Sequence, residues 1–228
     1  MPRNLIIAGV CAEVAAATVG CALGFAMRAR GTRVGVMKPV ETGCAERDGA
    51  LEPAGARALA FASSCNLPID LICPHTYRST LAPPLAAEAD GAAQPDFARI
   101  LECFRGIASE CDAVIVDAAG GITIPITHQA DYADLAAALG LEVVMVVASD
   151  RAALDDGVLA ARHALSRRLR FAGYVLADTK LAASPPDTSG SDDNGDAAFA
   201  LERLTGVRYL GRMRFREPLS KAIIERLL

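Results

Sequence analysis

The chain has 228 residues, 52% of them hydrophobic, and its 27 acidic and 23 basic side chains leave a formal net charge of −4. That length and apolar content fit a single domain spanning residues 1–228, and the slightly acidic balance gives no reason to expect a nucleic-acid partner. Seven cysteines, an odd number with no C-x-x-C pair, argue against a disulfide framework or a zinc site and fit a reducing compartment in which thiols act as small buried hydrophobes.

In chain order, Leu5 to Val10 predicts a strand, Glu13 to Arg30 a helix and Arg33 to Met37 a second strand. From Leu5 to Met27 the only charge is Glu13, so with Arg3 ahead of it this stretch can pass for a signal peptide or membrane span, and Thr18-Val19-Gly20-Cys21 for a lipid-attachment site. A carboxylate inside such a segment is costly, and the small residues equally fit a strand, turn and helix packed on a sheet. The expectation is a cytoplasmic chain without membrane contact. A loop holding Pro39 and Gly43 leads to an Ala-rich helix at Ala54 to Ser64, followed by helical stretches at Pro83 to Glu88 and Pro95 to Glu110.

The next strand, Ala113 to Asp117, ends in a carboxylate ahead of the turn Gly120-Gly121. Beyond it come helix Asp131 to Leu139, strand Val143 to Ala148, helix Ala152 to Ser166 and strand Phe171 to Leu176. Helix Ala197 to Leu204, strand Arg208 to Leu210 and helix Leu219 to Leu227 close the chain, and the Pro-, Ser- and Asp-rich residues 184–196 predict a flexible surface loop. Fully apolar strands separated by helices predict an α/β fold, a doubly wound and mostly parallel sheet flanked by helices.

Ligands of such sheets bind at the carboxyl ends of the strands, and three loops leave those ends: Gly9 to Ala17, Lys38 to Gly43 and Asp117 to Thr127. The first occupies the place of a phosphate-binding loop, although an ordinary strand-to-helix turn explains it equally well. Together the loops resemble those of the dethiobiotin synthetase family, whose first loop runs G-T-D-T-x-V-G-K-T, second K-P-V-x-[ST]-G and third E-G-A-G-G before a proline. Here they read Gly9-Val10-Cys11-Ala12-Glu13-Val14-Ala15-Ala16-Ala17, Lys38-Pro39-Val40-Glu41-Thr42-Gly43, and Asp117-Ala118-Ala119-Gly120-Gly121 with Pro125. Cys73-Pro74-His75-Thr76-Tyr77 with Ala82-Pro83, Asp131-Tyr132-Ala133-Asp134-Leu135 and Leu201-Glu202-Arg203-Leu204-Thr205-Gly206-Val207 extend the likeness along nearly the whole chain.

The resemblance implies a P-loop NTPase-like fold, a homodimer, and an ATP- and magnesium-dependent reaction. In that reaction a carbamate forms on one amine of 7,8-diaminononanoate, is phosphorylated, and is closed by the second amine to give dethiobiotin in biotin biosynthesis. It implies a catalytic role for Lys38, substrate contacts for Thr42, Gly120 and Gly121, and a degenerate nucleotide site at Gly9, Glu13, Val14, Ala15, Ala16, Ala17 and Ala177. Ala15, Ala16 and Ala17 replace the loop's glycine, lysine and metal-binding threonine; Gly55 stands where the family has a metal-binding aspartate. Ala177 replaces the adenine-reading asparagine, beside Asp178 as a partial substitute.

Asp117, in place of a glutamate, either binds metal or caps the following turn. His75, His128 and His163 show no partner in the sequence and fit surface or core roles, while Asp155 and Asp156 read as exposed helix charges. Three functions follow: a working synthetase with a divergent ATP site, a pseudoenzyme acting as a binding or regulatory homodimer around a diamino acid or related ligand, and an exported or lipid-anchored protein.

Overall fold

A computed structural model describes residues 3–10, 16–149, 153–178, 200–214 and 217–227. Its centre is a six-stranded sheet in the order β10-β9-β8-β1-β7-β2, formed by β1 (Leu5–Gly9), β2 (Val34–Met37), β7 (Ala113–Asp117), β8 (Glu142–Ala148), β9 (Arg170–Ala177) and β10 (Tyr209–Met213). Every pairing in it is parallel. β1, β2 and β7 are buried along their entire length, which is why their sequences are continuous apolar runs with no alternation: a parallel strand covered on both faces has no polar side to show.

Helix α1 (Ala16–Ala29) packs on β1 and β7 and against α2 (Ala54–Ser63); α5 (Phe97–Glu110) lies on β2 and β7, α7 (Ala153–Ser166) on β8, and the closing helix Lys221–Leu227 on β10. Sequence and structure differ at several helix ends for chemical reasons. α5 starts at Phe97 because Asp96 is its N-cap, accepting from the amides of Ala98 and Arg99. α6 (Tyr132–Leu139) starts after Asp131 because Asp131 and Asp134 form a reciprocal capping box. α4 (Pro83–Asp90) runs two residues beyond the expected end and stops at Gly91 in the left-handed region. The expected strand Arg208 to Leu210 is instead Tyr209–Met213, and the expected flexible loop 184–196 lies outside the described residues.

The region between β2 and α4 holds more structure than its sequence implies. β4 (Ala45–Arg47) and β5 (Ala50–Glu52) form an antiparallel hairpin around Asp48 and Gly49, whose φ angles of 51° and 78° are what a two-residue primed turn requires. β3 (Val40–Glu41) pairs with β6 (His75–Thr76) in a separate parallel ribbon, and α3 (Ile69–Ile72) precedes it. No described helix is long and apolar enough to cross a membrane. The six described cysteines are free, with Cys44, Cys73 and Cys103 buried.

The three histidines, for which the sequence shows no partner, each have one. His75 Nε2 accepts from the Asp96 amide, His128 pairs with Glu88, and His163 Nε2 lies 2.6 Å from Asp131 Oδ2. Asp155 and Asp156 are exposed on the first turn of α7, where the helix dipole favours acids.

Candidate functional site

The site forms where β2 and β7 leave the sheet. Their register pairs Met37 with Val116, so the next residues, Lys38 and Asp117, emerge side by side. Lys38 Nζ donates to Asp117 Oδ2 at 2.9 Å, and the two side chains are only 13% and 7% exposed. Burial pulls the Lys38 pKa down, but the charge and hydrogen bond of Asp117, then the charge of Glu41, outweigh it and leave the ammonium above its ordinary value. Asp117 Oδ1 accepts from the amide of Ala119 at 2.9 Å, so this carboxylate both pairs with the lysine and caps the turn behind it.

That turn carries Gly120 at a φ of 119°, which only glycine adopts without strain. At Gly121 a Cβ would stand 3.1 Å from the carbonyl oxygen of Gly9; the absent side chain lets the third loop press on the end of β1. Thr42, Gly120 and Gly121 thus meet on one cavity of about 210 Å³, with Thr80, Leu81 and Ile124 among its other walls. Lys38 and Asp117 stand at the roots of the same two loops. The sequence places these five residues on two segments far apart in the chain, and parallel register joins them.

Two further residues belong to this region and are not among the site residues expected from the sequence. Glu41, 9% exposed, accepts from the amides of Gly55 and Ala56 at 2.7 and 2.8 Å. Tyr132, at the start of α6, is fully buried, and its hydroxyl faces the backbone of Val40. Burial first, and then the charge of Asp117, holds its pKa well above the usual phenol range.

On the other side of β1 the carboxyl edge is built differently. Ala177 is a fully buried methyl inside β9, so it reads nothing at the surface. Asp178 follows it, and its Oδ1 accepts from Arg212 Nε at 2.9 Å and from the Ser149 hydroxyl. Gly9 ends β1; Ala16, buried, and Ala17, exposed, open α1. Glu13, Val14 and Ala15 lie outside the described residues.

For magnesium the described donors are few: Ala17 has no side-chain oxygen, each oxygen of Asp117 and of Glu41 already accepts one hydrogen bond, and among the described residues no three acidic, histidine or cysteine side chains converge. The chain has three lysines, Lys38, Lys180 and Lys221, and the one at the site is bonded to Asp117, while Arg212 at the opposite edge is bonded to Asp178.

Comparison with known proteins places the chain. A family described as an AAA domain matches residues 3–222. The "ATP-dependent dethiobiotin synthetase BioD" of Anaeromyxobacter dehalogenans (strain 2CP-C) is 38% identical over 218 residues, covering 96% of this chain and 88% of that one. The protein of the same name from Anaeromyxobacter sp. (strain K) is 37% identical over 174 residues, 76% of each chain.

Solved structures share the fold at low identity. A ParA family ATPase from Chlorobium tepidum TLS matches with a TM-score of 0.53 and 13% identity over 100% of this chain and 89% of its own. The cell division ATPase MinD of Pyrococcus furiosus matches with a TM-score of 0.51 and 15% identity over 100% and 98%. The sheet is therefore that of a P-loop ATPase, and identity of this level over nearly the full length means that the chain belongs to the dethiobiotin synthetase family.

Proposed function

We propose that this chain keeps the small-molecule half of a dethiobiotin synthetase site and lacks the half that drives the reaction, so that it works as a homodimeric binding or regulatory protein for 7,8-diaminononanoate or a related diamino acid. The observation that carries this reading is the commitment of Lys38. It is the one lysine at the carboxyl edge among the described residues, and it is held by Asp117 in a buried pair. Phosphoryl transfer rests on positioning and on neutralising phosphate charge. With alanine at 15, 16 and 17, that neutralisation has no source in the first loop. The cleft beside Thr42, Gly120 and Gly121 meanwhile offers hydroxyl groups, backbone amides and an apolar wall, a lining suited to an aliphatic chain with polar ends.

A second reading, a working ATP- and magnesium-dependent synthetase in the cytoplasm, is favoured by 38% identity over 218 residues to a protein of that name and by the retention of Lys38 and Thr42. It requires Lys38 to leave Asp117 and serve the phosphates. Titration calorimetry with 7,8-diaminononanoate, then with magnesium-ATP, then with both plus bicarbonate, separates the two. The proposal expects heat from the diamino acid alone and no dethiobiotin; nucleotide binding with product formation overturns it in favour of the second reading.

A further inference from the structure

Glu41 is one of only two acidic side chains that the described structure buries, the other being Asp117. No cation pairs with it among the described residues; it is held by a helix end. α2 begins behind Pro53, which brings no side-chain cap, so its first amides lack a local partner. The Glu41 carboxylate reaches them from the loop, Oε1 accepting from Gly55 N at 2.7 Å and Oε2 from Ala56 N at 2.8 Å. The positive end of the helix dipole holds the charge there.

Position 55 completes the arrangement. A Cβ at Gly55 would lie 3.1, 3.2 and 3.3 Å from Oε1, Oε2 and Cδ of Glu41. The carboxylate therefore fills the volume into which a side chain at 55 would grow. The backbone of Glu41 is fixed from the other side: its carbonyl accepts from Tyr77 N at 2.9 Å and from the Cys44 thiol, within the β3–β6 ribbon.

We propose that Glu41 is the positioning residue of the site, capping the first amides of α2 from the 38–43 loop in the space that a side chain at 55 would enter, and so fixing Lys38 and Thr42 relative to α2. This goes beyond the functional reading above, because it holds whichever ligand enters the cleft. Gly55 is then one half of a matched pair, in which the Glu41 carboxylate crowds any side chain at 55. Lys38 reports on the arrangement. The charged and titratable groups that act on it are Asp117 on β7, Glu41 on β3 and Cys73 before β6, and it acts in turn on Cys21 of α1 and on Cys44.

The test combines a mutant cycle with a spectroscopic probe. Glu41→Ala, Glu41→Gln, Gly55→Ala and the double variants Glu41→Ala/Gly55→Ala and Glu41→Ala/Gly55→Asp are compared by thermal melting and by NMR titration of the lysine side chains, which three lysines per chain make assignable. Glu41→Ala is expected to lower the melting midpoint by roughly 6–12 °C, the loss of two charge-assisted bonds in a chain of this size, and to move the Lys38 titration downward. Gly55→Ala is expected to destabilise the parent chain and to cost nothing in Glu41→Ala. Gly55→Asp is expected to recover both the midpoint and the Lys38 titration of Glu41→Ala. Glu41→Gln keeps the shape and one acceptor, so it folds even if Glu41→Ala does not, and shifts Lys38 in the same direction. Additive effects at 41 and 55, or a Lys38 titration unmoved in a folded Glu41→Gln protein, overturn the proposal.

Discussion

The two halves of the sheet's carboxyl edge, divided by β1, hold their charges in opposite ways. On the β7–β2 side, Lys38 and Asp117 are sealed to 13% and 7% exposure beside a cavity, with Glu41 and Tyr132 buried nearby. On the β8–β10 side, Arg212 and Asp178 are 36% and 19% exposed, and the residue before Asp178 is a buried alanine. A buried ion pair is weak evidence for stability, since removing charges from water costs about as much as their attraction returns; its persistence next to a cavity is better explained by use. A half-exposed pair at a sheet edge needs no such explanation. The difference teaches that the chain seals a charge pair beside a cavity on one side of β1 and leaves its pair open to water on the other.

The comparison breaks most directly at Lys38. Lys38→Ala leaves Asp117 buried with one amide for company, and the expected loss is about 3–5 kcal/mol in urea unfolding, together with loss of diamino-acid binding by calorimetry. Lys38→Met combined with Asp117→Asn should recover most of the stability and none of the binding. A loss under about 1 kcal/mol for Lys38→Ala would mean that water reaches the pair and that burial does not set this side apart.

Giving the first loop a lysine and a threonine is the next largest effect. The triple change Ala15→Gly, Ala16→Lys and Ala17→Thr returns a cation and a hydroxyl to the first loop, and is expected to raise magnesium-ADP affinity by at least about tenfold, since one preorganised electrostatic group is worth about 100- to 1,000-fold in favourable sites. Fluorescent-nucleotide titration checks it. No gain would move the question from the loop to the β8–β10 half, where Ala177 is a buried methyl and Asp178 pairs with Arg212.

Much of the sheet was legible because its strands are apolar without interruption, and Lys38, Thr42, Asp117, Gly120 and Gly121 were legible through the loops that follow those strands. Glu41 was not, because the position between Val40 and Thr42 reads as variable and nothing in a sequence says that a glutamate will cap a helix 14 residues on. The hairpin at Ala45–Glu52 did have a signal in Asp48-Gly49, but its strands are three residues each and mostly exposed, so no hydrophobic period supports it. Histidine partners were invisible for the same reason as Glu41: His163 and Asp131 are 32 residues apart and meet only when the end of α7 reaches the start of α6.

A smaller effect sharpens the comparison through pH. His75, on β6, accepts a hydrogen bond from the Asp96 amide at 3.1 Å, which only the unprotonated ring can do. Burial pushes its pKa below the ordinary value, so the folded state disfavours the charged form. Stability is then full above about pH 6.5, the unfolded value, and falls as pH drops from there through the lower folded value. A loss of about 1 kcal/mol between pH 7.5 and 5, abolished in His75→Gln, is the expected result in paired thermal melts. Amide exchange should show the β3–β6 ribbon opening before β9 and β10.

The least costly change tests the structural half. In Asp178→Ala, Arg212 loses its carboxylate but is already 36% exposed, so water replaces the partner, and the Ser149 hydroxyl, also at the edge, turns outward. The expected loss is about 0.5–1 kcal/mol, a fraction of that at Lys38, though the two pairs have nearly equal lengths of 2.8 and 2.9 Å. Equal geometry with unequal cost is what burial alone predicts, because the penalty for an orphaned charge is set by its access to water and not by the length of the bond it lost. Matching urea-unfolding losses for Asp178→Ala and Lys38→Ala would show that the two edges are energetically alike, and the division of the sheet at β1 into a working half and a structural half would fail.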